Sequence, residues 1–327
     1  MSEDTSPPHE EVQRTCRICG ATAAHPQYTV REMMFGFRDA FTYFQCQQCE
    51  CLQIAEIPAA IAKYYPENYY SMSGGLPRPP ARLLRSLRQF GATVRMRHAL
   101  PFGGRRQDTY AWVRGTGIER QSAILDVGCG RGLLLHELWL DGFSNLTGVD
   151  PFIEKSVRYD SGIAIHKCSL AEVDGTFDLV MMHHSFEHMP DPHAALAAAA
   201  ARLRPDGCLL IRIPIVPSLA FRTYGVHWFQ LDAPRHFYLH SRKSMQRAAA
   251  QANLQIDRVV YDSRASQFWG SEQYRNDIPH RSERSYGENP RASIFSMKQI
   301  RTWKRLARRV NASEDGDAAC FYLSLKS

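Results

Sequence analysis

The segment that most constrains the fold of this chain is the run ILDVGCGRG at residues 124–132. A short apolar stretch leads directly into three closely spaced glycines, and a leucine-rich helical pattern follows. Because glycine has no Cβ, such a turn lets a ligand approach the backbone closely, and the free N–H groups at the start of the helix point towards it. The run therefore predicts a strand, a ligand-binding turn and a helix in direct succession.

A carboxylate at the end of the next apolar segment narrows the class of ligand. Asp150 lies about twenty residues beyond the glycines, where it can accept hydrogen bonds from both hydroxyls of a ribose. The glycine spacing is GxGxG, and Leu133 occupies the place of the third glycine in the dinucleotide motif GxGxxG. The sequence therefore predicts an adenosine-containing cofactor and disfavours a pyrophosphate site.

From residue 123 onwards, short apolar segments alternate with helical stretches, the pattern of βαβ units and a parallel sheet. Three helices are clearest, at residues 131–140, 193–203 and 241–252. We predict an α/β fold with a Rossmann-like, seven-stranded, mostly parallel sheet and helices on both faces. The predicted strands are Ala123–Val127, Leu146–Val149, Ile163–His166, Phe177–His183, Cys208–Ile213, Gln255–Tyr261 and Cys320–Leu325.

Two CxxC pairs near the start of the chain predict a small zinc-ribbon-like module. Cys16 and Cys19 form the first pair, Cys46 and Cys49 form the second, and twenty-six residues separate the pairs. Four thiolates at this spacing suit tetrahedral zinc, and a filled coordination sphere makes the metal structural rather than catalytic. The neighbouring Cys51 is a less favoured ligand.

The odd number of nine cysteines and a polar, acidic start favour metal ligation in a reducing compartment over disulfides. No long uncharged apolar run is present, so we expect a cytoplasmic protein without a transmembrane segment.

Composition divides the chain into three parts. Residues 1–75 hold the cysteine pairs and a tyrosine-rich connector, and residues 76–120 form a basic helical arm. Residues 121–327 form the core domain, with insertions at 214–240 and 263–317.

The basic arm contains ten arginines against two acidic residues, which accounts for the whole net charge of +7. It can be a solvated amphipathic helix, which we favour, or can face an anionic partner such as nucleic acid, a phosphorylated substrate or a membrane. A second amphipathic helix at residues 299–310 either packs on the edge of the sheet, which we favour, or lies on an anionic membrane that displays a lipid-linked substrate.

The glycine run resembles the first motif of the class I S-adenosylmethionine-dependent methyltransferases. The resemblance continues through FDLV at residues 177–180 and through the loop HHSFEHMPDP at residues 183–192. It implies that the glycines lie along the methionine part of the cofactor, that Asp126 orients it, that Asp150 holds the ribose, and that Ser169 and Leu170 contact adenine. The implied cofactor-binding residues are Asp126, Gly128, Cys129, Gly130, Gly132, Asp150, Pro151, Ser169, Leu170 and His183.

The loop after the fourth core strand also supplies candidates for accepting a proton from the methyl acceptor. Such a loop lies at the carboxyl end of a central strand, where ligands bind, and the ordinary pKa of histidine is close to neutrality. A dense mixture of Trp, Asp, Arg and His at residues 228–236 adds a further candidate, although each of these residues can also be structural. The predicted catalytic residues are His184, Glu187, His188 and His236.

Cysteine knuckles followed by a tyrosine-rich run and a class I core resemble methyltransferases of bacterial polysaccharide and natural-product gene clusters, including sugar C-methyltransferases. The last predicted strand leaves no room for the additional C-terminal domain of the longer sugar C-methyltransferases. We therefore expect a methyltransferase (EC 2.1.1.-) acting at O, N or C of a small molecule, such as a sugar, a nucleotide-sugar or a lipid-linked glycan intermediate.

Two other functions stay open. The zinc module and the basic arm can hold RNA or DNA for methylation, although the loop HHSF differs from the Asn/Asp-Pro-Pro-aromatic motif of adenine-amine methyltransferases. Nucleic acid is therefore disfavoured. The third function is a non-catalytic binding protein that retains the cofactor fold.

Overall fold

A computed structural model of the chain describes residues 9–66, 76–98, 112–113 and 116–326. Part of the tyrosine-rich connector, at positions 67–75, and part of the basic arm, at positions 99–111 and 114–115, lie outside the described residues. Numbered in chain order, the strands are β1 (His9–Thr15), β2 (Thr22–Arg31), β3 (Ala40–Gln45), β4 (Leu52–Ile54), β5 (Ile124–Val127), β6 (Leu146–Val149), β7 (Val157–Arg158), β8 (Ala164–His166), β9 (Phe177–His183), β10 (Leu203–Pro214), β11 (Tyr238–Leu239), β12 (Leu254–Tyr261) and β13 (Ala318–Leu325).

Longer helices alternate with these strands, and 3-10 turns occupy several loops. Asp191 and Ser241 cap α3 and α5 as their positions predict, since each side chain accepts a hydrogen bond from a backbone N–H of the first turn. The α-helices are α1 (Arg82–His98), α2 (Leu133–Leu140), α3 (Pro192–Ala201), α4 (Leu219–Tyr224), α5 (Arg242–Gln251), α6 (Ser266–Arg275) and α7 (Met297–Ala312).

The predicted α/β fold class is confirmed by the large sheet, whose strand order is β12-β13-β10-β9-β5-β6-β8-β7. All seven predicted strands are present, and the two-residue strand β7 makes an eighth. Strands β10, β9, β5, β6 and β8 pair in parallel, whereas β12, β13 and β7 pair antiparallel at the two edges. The carboxyl ends of five strands therefore meet at one edge of the sheet, where a ligand site is expected.

Strand β10 begins earlier than the sequence predicts. Its residues 204–207, RPDG, have the composition of a turn, but they form an irregularity within the strand. Leu203 pairs with Phe177 and Cys208 pairs with Leu179, so the residues between them loop out while pairing resumes beyond. A turn-like composition thus produced a bulge.

Alternate residues along the central strands enter two separate hydrophobic cores, which explains the helices on both faces. On β9, Val180 and Met182 belong to the core shared with α3, α5 and α7, whereas Leu179 and Met181 belong to the core shared with α2. Most of these side chains are fully buried. The continuous apolar composition of β9 follows from this two-sided burial.

The N-terminal module consists of two hairpins, each of which carries one CxxC pair in its turn. Hairpin β1–β2 holds the first pair and hairpin β3–β4 holds the second. These four strands form an antiparallel sheet to which the insertion at 214–240 adds β11, in the order β1-β2-β3-β4-β11. The first insertion therefore completes the sheet of the N-terminal module.

The second amphipathic helix packs on the core, as favoured from its sequence. Ile300, Ala307 and Val310 of α7 are buried, and Trp303 and Leu306 pack against the larger core. Its lysines and arginines face solvent. The membrane-surface alternative loses its physical basis, because the apolar face is not available to lipid. In the described part of the chain no helix combines the length and the apolar character needed to span a bilayer.

Candidate functional site

The glycine-rich turn has the backbone conformation that its composition predicts. Gly128, Gly130 and Gly132 have φ values of 72°, 52° and 83°, in the region that favours glycine. A Cβ on Gly128 would lie 2.5 Å from Cβ of Ser185, and one on Gly132 would lie 2.4 Å from Cδ1 of Ile165. Both glycines are therefore packed against protein atoms, and their positive φ makes any side chain at either position strained.

Cys129 contributes backbone rather than side chain to this turn. A Cβ on Gly148 of β6 would lie 2.5 Å from Sγ of Cys129, so the thiol packs against the sheet. Gly132 begins α2 as a left-handed residue without a side-chain cap, which leaves the first N–H groups of the helix available to a ligand.

Two carboxylates flank the turn. Asp150 Oδ2 accepts a hydrogen bond of 2.9 Å from the Gly130 N–H, and its Oδ1 accepts one of 2.9 Å from the Phe152 N–H. Each oxygen keeps a second lone pair for a ribose hydroxyl. Asp126 is almost fully buried, and burial together with the charge of Asp150 raises the pKa of Asp126 to about 8. A cationic group of a ligand placed beside Asp126 would favour its ionised form.

The residues predicted to contact adenine and its neighbourhood follow β6 and β8. Ser169 caps a 3-10 turn in a capping box with Glu172, so its hydroxyl is already engaged, and Leu170 is buried beside it. Pro151 is exposed, and so is Phe152, at 75%. An exposed phenylalanine next to the predicted ribose carboxylate is a candidate adenine contact that the sequence did not reveal, since only its exposure distinguishes it from a core residue.

The loop after β9 packs directly on the glycine turn. Ser185 donates a hydrogen bond of 2.7 Å to the carbonyl oxygen of Val127, and its Cβ fills the space left by Gly128. The residues that follow Ser185 in the 3-10 turn Phe186–His188 therefore lie beside the predicted methionine end of the cofactor.

Three of the four predicted catalytic residues converge where this loop meets residues 228–236 of the first insertion, a segment called the roof below. One ligand-type atom from each of Glu187, His188 and His236 lies within 4.8 Å of the others. The His188 Nδ1–H donates to the carbonyl oxygen of Arg235 at 2.8 Å, and the His236 Nδ1–H donates to that of Gln230 at 2.8 Å. Because a carbonyl oxygen can only accept, Nδ1 carries a proton in both rings, and in the neutral tautomer the lone pair is on Nε2.

Burial lowers the pKa of His188 to about 4, so its imidazole is neutral near pH 7. Glu187 is fully buried. Burial favours its neutral form, but the hydrogen bond from His184 and the neighbouring histidines hold its pKa at about 2. The cluster therefore combines the neutral imidazole of His188 and the carboxylate of Glu187 with the ring of His236.

The fourth predicted catalytic residue, His184, is held at both ring nitrogens. Arg212 donates to its Nε2, so the proton is on Nδ1, which donates to Glu187 Oε1 at 3.2 Å. His184 also has a φ of 52°, which is uncommon for a residue other than glycine. With no free lone pair, His184 is placed to fix Glu187 rather than to accept a proton.

His183, at the end of β9, packs its ring against Trp112 with centroids 4.8 Å apart. Trp112 donates from Nε1 to Asp262 at 3.0 Å, and Asp262 also accepts from Arg212 Nε at 2.5 Å. Asp262 and Arg212 were not predicted, because their pairing joins β10 with the end of β12.

A buried ion-pair network ties the roof to the N-terminal sheet. Arg235 is fully buried, donates to both oxygens of Asp232 at 3.0 and 2.6 Å, and donates to Glu32 at 3.0 Å. It also donates to the carbonyl oxygen of Tyr64, and the adjacent Tyr65 hydroxyl lies 3.3 Å from Nδ1 of His188. The N-terminal module thus reaches the catalytic cluster, a relation that sequence spacing could not reveal.

The four predicted zinc ligands form one cluster. Their Sγ atoms lie within 4.8 Å of one another, with Cys16 to Cys49 and Cys19 to Cys46 both at 3.6 Å. Tetrahedral zinc with bonds of about 2.3 Å places sulfurs about 3.8 Å apart, so the set fits the metal. Gln53 Nε2 donates to Cys16 Sγ at 3.1 Å, as suits a thiolate ligand, and Cys51 is outside the cluster.

Comparison with known proteins finds sequence similarity to methyltransferases. Residues 105–259, just under half of the chain, match the family model described as "Methyltransferase domain". The "Ubiquinone biosynthesis O-methyltransferase" of Bordetella avium is 32% identical over 152 residues, covering 40% of this chain and 61% of that enzyme. The protein of the same name from Xanthomonas oryzae pv. oryzae is 32% identical over 155 residues, covering 42% of this chain and 64% of that enzyme.

The matched part of this chain thus spans less than two thirds of the length of these relatives. Among solved structures, a cyclopropane synthase from Mycobacterium tuberculosis aligns with a TM-score of 0.41 and 16% identity, over 67% of this chain and 87% of that one.

Proposed function

With a class I S-adenosylmethionine-dependent methyltransferase domain as the premise, we propose that this chain transfers a methyl group from S-adenosylmethionine to a hydroxyl oxygen of a small molecule. The proposal depends on the contact between the glycine turn and the loop that holds the predicted catalytic residues. The loop with Glu187 and His188 packs on the glycine turn through Ser185, and His236 closes over it from the roof.

The residues present fit the cofactor. Three glycines give the turn its positive-φ conformation, Asp150 can hold two ribose hydroxyls, and Asp126 can pair with the ammonium group of the methionine part. When bound, S-adenosylmethionine supplies a methyl group already activated by its sulfonium. The protein therefore has two tasks, which are to align the acceptor with the methyl group and to remove the hydroxyl proton.

The cluster of Glu187, His188 and His236 suits the second task. Backbone carbonyls hold both histidine rings in place through Nδ1, so Nε2 is the ring nitrogen of each that can accept a proton. Glu187 supplies negative charge beside the acceptor, while His184 and Arg212 hold Glu187 in position. The cluster thus favours loss of the acceptor proton.

An oxygen acceptor agrees with the activity named for the matched relatives. Sugar and nucleotide-sugar hydroxyls remain our predicted acceptors, because the cysteine knuckles resemble those of methyltransferases from polysaccharide gene clusters. Phenolic hydroxyls are the second class to test, since the relatives are named for ubiquinone biosynthesis. We propose structural zinc at Cys16, Cys19, Cys46 and Cys49, on the basis of their spacing and convergence.

The first experiment is calorimetric titration of the full chain with S-adenosylmethionine and with NAD. We expect saturable binding of S-adenosylmethionine only. Asp150→Ala should lower its affinity at least about a hundredfold, because the ribose loses its partner. The exposed Asp174→Ala is the matched control and should bind normally. Unchanged affinity in the Asp150 variant would remove the proposed site.

The second experiment tests the acceptor side with a panel of sugars, nucleotide-sugars and phenols. We expect His236→Ala to leave the S-adenosylmethionine affinity within about twofold of the wild type. Its kcat on a positive acceptor should fall about a hundredfold or more, the range of a lost proton acceptor. Equal turnover in the two proteins would exclude His236 from the reaction.

A further inference from the structure

We propose that Glu187, His188 and His236 bind a divalent metal ion beside the cofactor turn. The three side chains offer two imidazole nitrogens and one carboxylate oxygen within 4.8 Å of one another. This ligand set is typical of ions such as Mn²⁺, Fe²⁺ and Zn²⁺. Ligand atoms that share an ion with bonds of about 2.1 Å lie about 3.0 to 3.5 Å apart, so a closure of about 1 Å completes the coordination.

Hydrogen bonds on the far side of both rings support this assignment. Metal-ligating histidines generally donate their other N–H to a carboxylate or a backbone carbonyl, which fixes the tautomer and aims the free lone pair. His188 and His236 do so, each at 2.8 Å, to the carbonyl oxygens of Arg235 and Gln230. Since Nδ1 is engaged in both rings, Nε2 is the nitrogen of each that is left to bind a metal ion.

Glu187 provides the second, independent observation. Its side chain is fully buried, and its Oε1 accepts from His184. Its Oε2 is buried and has no hydrogen-bond partner among the described residues. His236 Nε2 lies 3.9 Å from Oε1, too far for a hydrogen bond. An unpartnered buried carboxylate oxygen is costly, and a metal ion in the cluster would satisfy it.

The location gives the ion a role in the reaction, and this step rests on the proposed function. Three protein ligands leave coordination positions open, as in catalytic sites. An acceptor hydroxyl that binds there has a lowered pKa, so its O–H bond breaks. Because the ion occupies the Nε2 lone pairs of His188 and His236, the proton passes to water and not to these histidines. The oxygen then forms a bond to the methyl carbon while the carbon–sulfur bond breaks, and the electron pair stays on sulfur.

The test uses Mn²⁺ with the full, zinc-loaded chain, because Mn²⁺ prefers nitrogen and oxygen ligands to the thiolates of the knuckles. Electron paramagnetic resonance titration should show one Mn²⁺ bound per chain. Glu187→Gln and His236→Gln, which retain side-chain volume, should each weaken Mn²⁺ binding at least about tenfold. The exposed His166→Gln is the control and should bind as the wild type does. Zinc content and circular dichroism confirm that each variant is folded.

The outcomes separate this inference from the proposed function. Absence of Mn²⁺ binding to the wild type, or unchanged binding in both cluster variants, would overturn the metal site. S-adenosylmethionine binding is measured on the same samples, so intact cofactor binding and methyl transfer without Mn²⁺ binding would leave the proposed function standing. Mn²⁺ binding at the cluster without any cofactor binding would support the metal site and overturn the methyltransferase.

Discussion

Among single residues, Asp126 shows most clearly how a buried carboxyl group that suits a cationic ligand lowers the stability of the ligand-free protein. It is the second-last residue of β5, almost fully buried and close to Asp150. Burial and the nearby charge raise its pKa to about 8, whereas an aspartate in an unfolded chain titrates near 3.9. Between these pH values the folded protein holds a proton that the unfolded chain has lost.

We therefore predict that the stability of the cofactor-free protein falls as the pH rises from about 4 to about 8, in the part that depends on Asp126. Asp126→Asn should remove this dependence and stabilise the protein at pH 8 by at least about 1 kcal/mol, or about 2 to 4 °C in Tm. It should also weaken S-adenosylmethionine binding about tenfold, because the ammonium loses its carboxylate partner. Thermal denaturation from pH 5 to 9, with Asp174→Asn as control, measures the first effect. An unchanged pH profile would place the buried ionisation at another residue.

The predicted site residues differ in whether nearby sequence or only the fold reveals their role. Asp150 was predicted from its position at the end of a strand and Asp126 from the resemblance of the glycine motif, and the structure places both beside the glycine turn. His184 was grouped with the catalytic candidates because of its residue type and loop position. Only the fold brings Arg212 against it, and that contact removes its free lone pair.

Among the elements, helix α1 reverses the orientation expected of a solvated amphipathic helix. Two of its arginines face inwards: Arg85 lies over the ring of Trp139, and Arg88 pairs with Glu137 and Asp141. Leu83, Leu87 and Phe90 face outwards and are 72%, 59% and 71% exposed. Two arginines that seemed available for an anionic partner are therefore engaged within the protein.

We predict that Arg88→Met destabilises the protein by about 1 to 3 kcal/mol, because the almost fully buried Asp141 loses its charged partner. Differential scanning fluorimetry measures the loss as a lower Tm. The exposed Arg78→Met is the matched control and should melt as the wild type does. Salt-dependent retention on RNA that disappears in the Arg88 variant, with an unchanged Tm, would instead favour a nucleic-acid role for the arm.

At the scale of the whole molecule, the zinc knuckles are joined to the rest of the protein. Ser241, the N-cap of α5, donates to the carbonyl oxygen of Cys49 at 2.5 Å. His193 of α3 lies 3.2 and 3.1 Å from the carbonyl oxygens of Arg17 and Ile18. Strand β11, two residues beyond His236, completes the N-terminal sheet. A disturbance at the zinc cluster should therefore reach the acceptor side of the site.

We predict that Cys49→Ser lowers zinc content and reduces kcat about tenfold or more, while the affinity for S-adenosylmethionine changes less than about threefold. The reason is that the knuckles support the roof and Tyr65, whereas the glycine turn belongs to the large sheet. Metal analysis, calorimetry and turnover on the same preparation give the three values. Cys168→Ser, outside the cluster, is the control. Normal turnover in a zinc-free variant would show that the roof holds without the metal.

The central strands, the glycine turn and the cysteine knuckles could be predicted from the sequence alone. These features depend on apolar periodicity and short spacings, which can be recognised within a few tens of residues. Only the tertiary structure reveals the sheet that the N-terminal module shares with the first insertion and the approach of Tyr65 to His188. It also reveals the ion pair of Glu32 with Arg235, whose positions differ by 203. Such contacts form because a buried charge needs an ion-pair partner and a strand edge needs hydrogen bonds. The local sequence does not predict which distant segment provides these partners.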